Sequence, residues 1–285
     1  MNSRTLLRSG LVALCAAAVA HAQAPKLSPT SKIFVADAEG DTQITTGKDI
    51  GLLAKKAVYK GEGTMIDTRA NSNASIVLSN GTGIYFDVSS RTEIKGFVQA
   101  PFRPMRADMD EEPSISRTHV FVDYGVLGVS TSKMAAGSTL MFETSLATVE
   151  VHGRQCVIQA GDSVTTVSMF EGGATVRAGP LGTTYDVTVG NQAVISDGKA
   201  GQPGLVEVRQ IPAGTAGAQR AWLYERVLAA DAARKLVYFE MQSGSDGSIS
   251  LFDGAETGDQ IVAIPVVPAN PPVVPTVSAA NLSGR

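Results

Sequence analysis

From residue 32 to about residue 195 the chain is a succession of short apolar runs, each closed by Gly, Asn, Asp or Ser. Ile33-Phe34-Val35 is one, residues 74–78 another, and Asn80-Gly81 then makes a tight turn into residues 84–88. Asn-Gly between apolar runs is a strong hairpin signal, because both residues tolerate the positive φ of a two-residue turn. Further runs follow at 120–124, 126–130, 139–143, 148–151, 155–159, 164–170, 174–177 and 185–189. Strands recurring every ~8–12 residues between turn signals predict a mainly β fold: a sandwich, barrel or solenoid. In Val120-Phe121-Val122-Asp123-Tyr124 the apolar residues fill both registers, the pattern of a strand buried on both faces. No repeat of fixed period is visible.

Two segments break this texture. Residues 99–118 hold Pro101, Pro104 and Pro113, with Arg103 and Arg106 ahead of Asp108, Asp110, Glu111 and Glu112. A loop of that length is uncommon without purpose. It reads either as a solvated insertion on a sheet edge, the usual role of acidic runs, or as a docking loop for a basic partner. After Pro212, residues 216–235 contain no Pro and predict a helix, with Thr215 as N-cap. Trp222, Leu223, Val227 and Ala230 share one face of it, so the single Trp reads as its packing anchor. Residues 236–241 and 248–252, joined by Gly244-Ser245-Asp246-Gly247, predict a hairpin packed on the β body. Residues 265–285 carry five of the 13 Pro and read as a flexible extended tail.

The first 22 residues have the form of an address. Arg4 and Arg8 precede a short apolar run, and Ala20-His21-Ala22 offers a small-x-small cleavage site before Gln23. The run is about half of the ~20 residues that span a bilayer, so a cleaved secretory signal is expected. Leu14 stands ahead of Cys15, where a lipoprotein signal would carry a small residue. Cleavage removes both arginines and no acid, leaving 22 basic and 27 acidic residues. A periplasmic or extracellular protein is expected, without the basic footprint of a nucleic-acid binder. Cys156 would be the one remaining thiol, so no internal disulfide can form.

Catalytic chemistry finds little to stand on. Beyond residue 22 there are two histidines, His119 and His152, and no Gly-x-Ser-x-Gly elbow. His152 and Cys156 share a strand face but lie ~13 Å apart in extended chain, too far for a thiolate–imidazole pair. A buried thiol is the simpler reading of Cys156. Asp37, Glu39 and Asp41 alternate around Gly40, yet lack the bidentate Glu of a calcium loop. No phosphate-cradling glycine loop leads into a helix. The expectation is a protein without catalytic residues, metal or cofactor.

Three stretches, residues 59–68, 74–82 and 125–176, carry motifs that together resemble the FecR domain family. Residues 59–68, Tyr-Lys-Gly-Glu-Gly-Thr-Met-Ile-Asp-Thr, resemble its G-x-x-I-x-T entry. Residues 74–82, Ala-Ser-Ile-Val-Leu-Ser-Asn-Gly-Thr, resemble its corner, with Asn80 and Thr82 for the commoner Asp and Ser, and Thr92 follows in place. In residues 125–176, Gly125-Val126-Leu127-Gly128-Val129 looks like the G-x-v-x-v strand and Thr144-Ser145 stands for Thr-Pro. Val151-His152-Gly153-Arg154 stands for V-R-G-T, and residues 167–176 resemble the closing strands around Gly172. The resemblance covers residues 59–195 in order and spacing. It implies a β domain of solenoid-like or jelly-roll-like coils, in which Gly81, Gly125, Gly153 and Gly172 are structural turn glycines. The organisation expected is a signal peptide (1–22), an N-terminal β extension (23–58), the FecR-like domain (59–195), the helix and hairpin (196–264) and the tail (265–285).

In its best-known setting the domain is the periplasmic part of a membrane-spanning regulator, relaying a signal from an outer-membrane transporter to a cytoplasmic sigma factor. A cleavable signal in place of the membrane helix implies a stand-alone, non-enzymatic bacterial envelope protein that binds a protein partner and relays a surface signal. An exposed sheet edge or the 99–118 loop would do the docking, with strand addition as one mode. The alternative is a module for cell-wall glycan or polysaccharide. It would need an exposed aromatic row, for which Tyr59, Tyr85 and Phe86 are the candidates and look more like core.

Overall fold

In the computed structural model, which describes residues 30–102, 110–178, 182–198, 205–242 and 260–265, the apolar runs become strands. The glycines between them become bends as often as turns. β1 (Lys32–Glu39) runs on into β2 (Thr42–Thr46), and β3 (Asp49–Leu52) and β4 (Val58–Lys60) are short. β5 (Thr64–Thr68) continues as β6 (Asn73–Leu78), and β7 (Gly83–Phe86) continues as β8 (Ser90–Gln99). β9 (Ser116–Ser130) is one long strand, followed by β10 (Thr139–Glu143). β11 (Ala147–Val151) continues as β12 (Gln155–Ala160), β13 (Val164–Glu171) as β14 (Gly173–Ala178), and β15 (Thr183–Thr188) as β16 (Asn191–Ser196). β17 (Leu205–Gln210) closes the series.

These 17 strands form one mixed sheet folded over into two layers. Layer A has the order β4-β1-β6-β7-β9-β12-β13-β16-β17. Layer B has the order β3-β2-β5-β8-β9-β10-β11-β14-β15. Every pairing is antiparallel except β9 with β10. Seven long strands, β9 and the six two-part ones, each cross from one layer to the other along a common crease. At six of the seven crossings a residue with positive φ makes the bend: Gly40, Asn71, Ser89, Gly125, Gly172 and Gly190.

Gly125 shows why the sequence is as it is there. Its φ is +108°, and a Cβ would stand 2.2 Å from Ser90 Oγ on the neighbouring rung, so only glycine fits. The runs at 120–124 and 126–130, expected as two strands, are therefore one strand that bends without losing its partners. At the next crossings Gly153 and Gly172 lie against each other, a Cβ on Gly172 falling 2.4 Å from the Gly153 Cα. Gly81, in the turn between β6 and β7, has φ +87° and sits under Ser132 Oγ.

The core fills the space between the layers, with Ile33, Ile66, Ile76, Phe86, Phe142, Val149 and Ile158 among its buried members. In layer B, β5 and β11 alternate strictly, placing every second residue inward. Layer A strands are buried on both faces where they pass beneath α1 (Ala218–Arg234): all of β6 after Asn73, and Leu127 to Ser130 in β9. The double-faced burial expected at Val120–Tyr124 is not there, because that half of β9 lies in layer B. Phe121 and Asp123 point out of the sandwich while Val120 and Val122 point in.

Helix α1 lies across the outer face of β6, β7, β9 and β12. Leu223 and Val227 pack on Val157 and Ile211, and Ala233 packs on Phe34, Val77 and Phe102. Burying a side chain of the size of Leu223 or Val227 stabilises by about 1.5–3 kcal/mol. Gly83 and Gly128 bring the helix backbone down onto the sheet: a Cβ on either would stand 2.2 Å from the carbonyl oxygen of Ala230 or Arg226.

Two expectations about this region are corrected, and a third falls partly outside the described residues. Trp222 is 36% exposed and stacks under its own helix's Arg226, 3.9 Å from the ring centre, so the anchors are Leu223 and Val227. Thr215 opens a 3-10 turn, Thr215–Gly217, and the residue ahead of the α-helix is Gly217 in the left-handed region. The strand β18 (Val237–Gln242) pairs with β19 (Gln260–Pro265), and residues 248–252, expected as its hairpin partner, lie outside the described residues.

Candidate partner-binding surfaces

The groups that could do covalent or acid–base chemistry are engaged in other ways. Cys156 is fully buried in β12, and burial pushes its thiol up to about 12, which leaves no thiolate at neutral pH. His152 Nε2 meets Thr175 Oγ1 at 3.1 Å, and Thr175 donates to Asp186 Oδ1 at 3.3 Å. That order places the hydroxyl between base and acid, whereas a nucleophile needs the base in the middle. His119 Nε2 lies 2.9 Å from Glu143 Oε2, which also takes Lys95 Nζ at 3.2 Å, and the ammonium covers the Phe121 ring. These two histidine networks dress the outer face of layer B and its margin.

No group of three or more metal-ligating side chains occurs among the described residues. Asp37 pairs with Lys55 at 2.7 Å, Glu39 accepts from Asn73 and Asp41 from Gln43, so the three acids face separate partners. No helix among the described residues is long and apolar enough to cross a membrane.

The described parts of the 99–118 loop are tied to the body. Gln99 is buried and exchanges hydrogen bonds with Ser79. Glu112 takes a hydrogen bond from Ser116 and a second, 2.8 Å long, from the Ala135 N–H. Glu111 forms an exposed pair with Lys133, and the chain makes a parallel bridge there. Asp110, mostly exposed, lies 3.8 Å from both Arg154 and Arg234. Arg234 is 1% exposed and also donates to Ser130 and Asp231. Asp110, Glu111 and Glu112 thus join the loop to the sheet and the helix. Arg103, Arg106 and Asp108 lie outside the described residues.

Among the described residues, the edges β3, β15 and β17 stand open at the two ends of the folded sheet, while β19 lies against the remaining edge, β4. At one end β3 is exposed along its whole length, with Ile50 and Leu52 each 72% accessible on the outer face of layer B. The Leu53 N–H bonds back to Thr42, so by alternation Ile50 and Leu52 direct their own N–H and C=O away from β2. At the other end β17 is the edge of layer A and β15 that of layer B. Val206 and Val208 of β17 face inward at the mouth of the sandwich, and Val208 is still 41% exposed. Neither edge strand stands out in the sequence: each is short, and its only signal is apolar–polar alternation over a few residues.

A third feature is an open-sided cleft of about 670 Å³ where α1 begins, lined by Phe170, Tyr224, Gln155, Glu171 and Arg220. The two aromatic rings stand 5.3 Å apart at 39°. Of the aromatic residues considered for a glycan row, Tyr59 and Phe86 are core and Tyr85 is half-buried beneath α1.

No family model and no curated protein matches the chain. Among solved structures it is similar to two crystal structures, at 1.65 and 2.50 Å, of a protein provisionally assigned as an anti-sigma factor from Parabacteroides distasonis ATCC 8503. The TM-scores are 0.42 and 0.40 at 16% identity, over 56% of this chain. The match spans 64% and 63% of those chains, just under two thirds of their length.

Proposed function

We propose that this protein is a non-enzymatic, FecR-like binding module of the bacterial envelope, secreted to the periplasm or beyond, which captures an extended segment of a partner protein along β3. The observation that carries this reading is an edge strand left unblunted. Natural sheets protect such edges with charge, proline or a covering element, whereas β3 presents two large apolar side chains beside backbone groups that no described residue takes. A partner strand would gain main-chain hydrogen bonds there, and its alternate apolar side chains would cover Ile50 and Leu52. The family resemblance in residues 59–195 supports a protein partner and a part in relaying a surface signal.

The test is photo-crosslinking from position 50 in the intact envelope of the source organism, with the adduct mapped by mass spectrometry. One protein joined through one extended segment, lost with Ile50→Lys and Leu52→Lys and retained in an Asp110→Asn control, is the expected result. Adducts scattered over many proteins would defeat the reading. The cleft between Phe170 and Tyr224 favours a second one, a cell-wall or secreted glycan stacked on the aromatic pair. Retention of glycan by the protein, abolished by Tyr224→Ala and untouched by the β3 variants, would replace the first reading with the second.

A further inference from the structure

We propose that the β17 edge is a self-docking surface, on which a second copy of this chain continues layer A across a two-fold axis at Val208. The Ile211 N–H bonds to the Gly190 carbonyl at the close of the β16–β17 hairpin. By alternation, Val206, Val208 and Gln210 turn their N–H and C=O away from β16, and no described residue takes them.

The sequence of this edge complements itself. With Val208 opposite its copy, Val208 forms a hydrogen-bonded pair with itself, and Val206 pairs with Gln210 on either side. Glu207 then stands opposite Arg209 of the second copy, twice over, in the non-hydrogen-bonded positions where side chains approach most closely. Within one chain these two residues make an exposed pair at 3.3 Å, which the dimer exchanges for two cross-strand pairs. On the inner face the half-open valines cover one another, closing the mouth where Val208 is exposed.

The same axis runs perpendicular to the layers, so it brings β15 to face its copy as well, with Tyr185 half-buried at the mouth. A single six-residue strand falls short of the ~1,000 Å² of a stable interface, and the second layer supplies the remainder. β3 offers no such symmetry, having Asp49 as its one charged residue. The proposal concerns the opposite end of the molecule from β3 and stands or falls apart from the partner reading.

Sedimentation analysis of the full secreted chain over a dilution series tests it. A reversible dimer is expected, weakened by salt. Val208→Pro removes a donor that faces away from β16, a position where an edge strand accepts proline, so it should leave the melting curve in place and abolish the dimer. Glu207→Arg and Arg209→Glu should each weaken self-association by about tenfold or more. Mixed one to one, these two variants set an all-cationic strand against an all-anionic one and should dimerise again, a rescue that misfolding cannot imitate. A wild-type chain that stays monomeric at all concentrations overturns the proposal. So does a dimer indifferent to Val208→Pro, or a mixture that fails to recover.

Discussion

Layers A and B share one core, and among the described residues they differ in what lies outside it. Layer A carries α1, and its strands are apolar on both faces where the helix crosses. Layer B faces solvent with alternating strands whose outward charges pair with each other, Lys95 and His119 with Glu143 and Arg91 with Asp123. The same backbone scheme thus supports two surfaces of opposite character. The difference begins in a few residues: Gly83 and Gly128 let the helix close on the sheet, and Asp87, Asp231 and Arg234 fasten it. Arg226 reaches Asp87 at 2.8 Å with both groups largely buried, while Arg234 is sealed between helix and sheet.

The comparison is broken most severely at Gly128. A side chain there meets the Arg226 carbonyl, so Gly128→Val should cost about 3 kcal/mol or more and release the helix, read as early proteolysis within residues 212–236 ahead of global melting. Arg234→Ala comes next, at about 2–3 kcal/mol by chemical denaturation, because it strips the Asp231 carboxylate and Ser130 of a buried partner.

Acid separates the layers more gently. Burial alone would push the Asp231 carboxyl up, but hydrogen bonds from Lys235 and Ser130, with the Arg234 charge, hold it below the ordinary 3.8. A folded value below the unfolded one gives stability that is present above pH 3.8 and lost as pH falls through the folded value. Asp231→Asn should therefore be less stable than wild type at neutral pH, by about 1 kcal/mol, and the gap should shrink in acid. The smallest effect belongs to layer B. Glu143→Gln touches a pair that is more than a third exposed and should shift stability by less than about 1 kcal/mol, and less still in high salt.

Much of layer B is legible in the sequence, because most of its strands alternate and glycines such as Gly47 and Gly182 mark its hairpin turns. Layer A is less so, since double-faced burial erases alternation and shifts the evidence to residues far away in the chain. Arg234 looks like an ordinary solvent-facing helix residue until its partner Ser130, 104 positions earlier, is beneath it. Trp222 misleads in the opposite sense: its size suggests an anchor, but with glycines in the sheet below, the helix sits too low to need one. Gly125 reads as a break between two strands because a sequence does not distinguish a bend that keeps its pairing from a turn that ends it. The acidic stretch Asp110-Glu111-Glu112 differs again: its residues are plain, but their use in an internal join depends on Lys133, Ala135, Arg154 and Arg234, which no local pattern connects to it. The open edges β3 and β17 are faint for a simpler reason, being too short for periodicity to show.

The common crease has a consequence for how such a chain can change in length. Each bent strand rests mainly on the bent strands before and after it, so the body behaves as a ladder whose rungs meet only their neighbours. Adding or deleting one folded hairpin would leave every other rung with the environment it already has. Strand length fixes the width of the ladder, the crease fixes its thickness, and the number of rungs is free to drift by duplication. The register of the outermost rungs, and with it the identity of the two ends, is the one property each such event would rewrite.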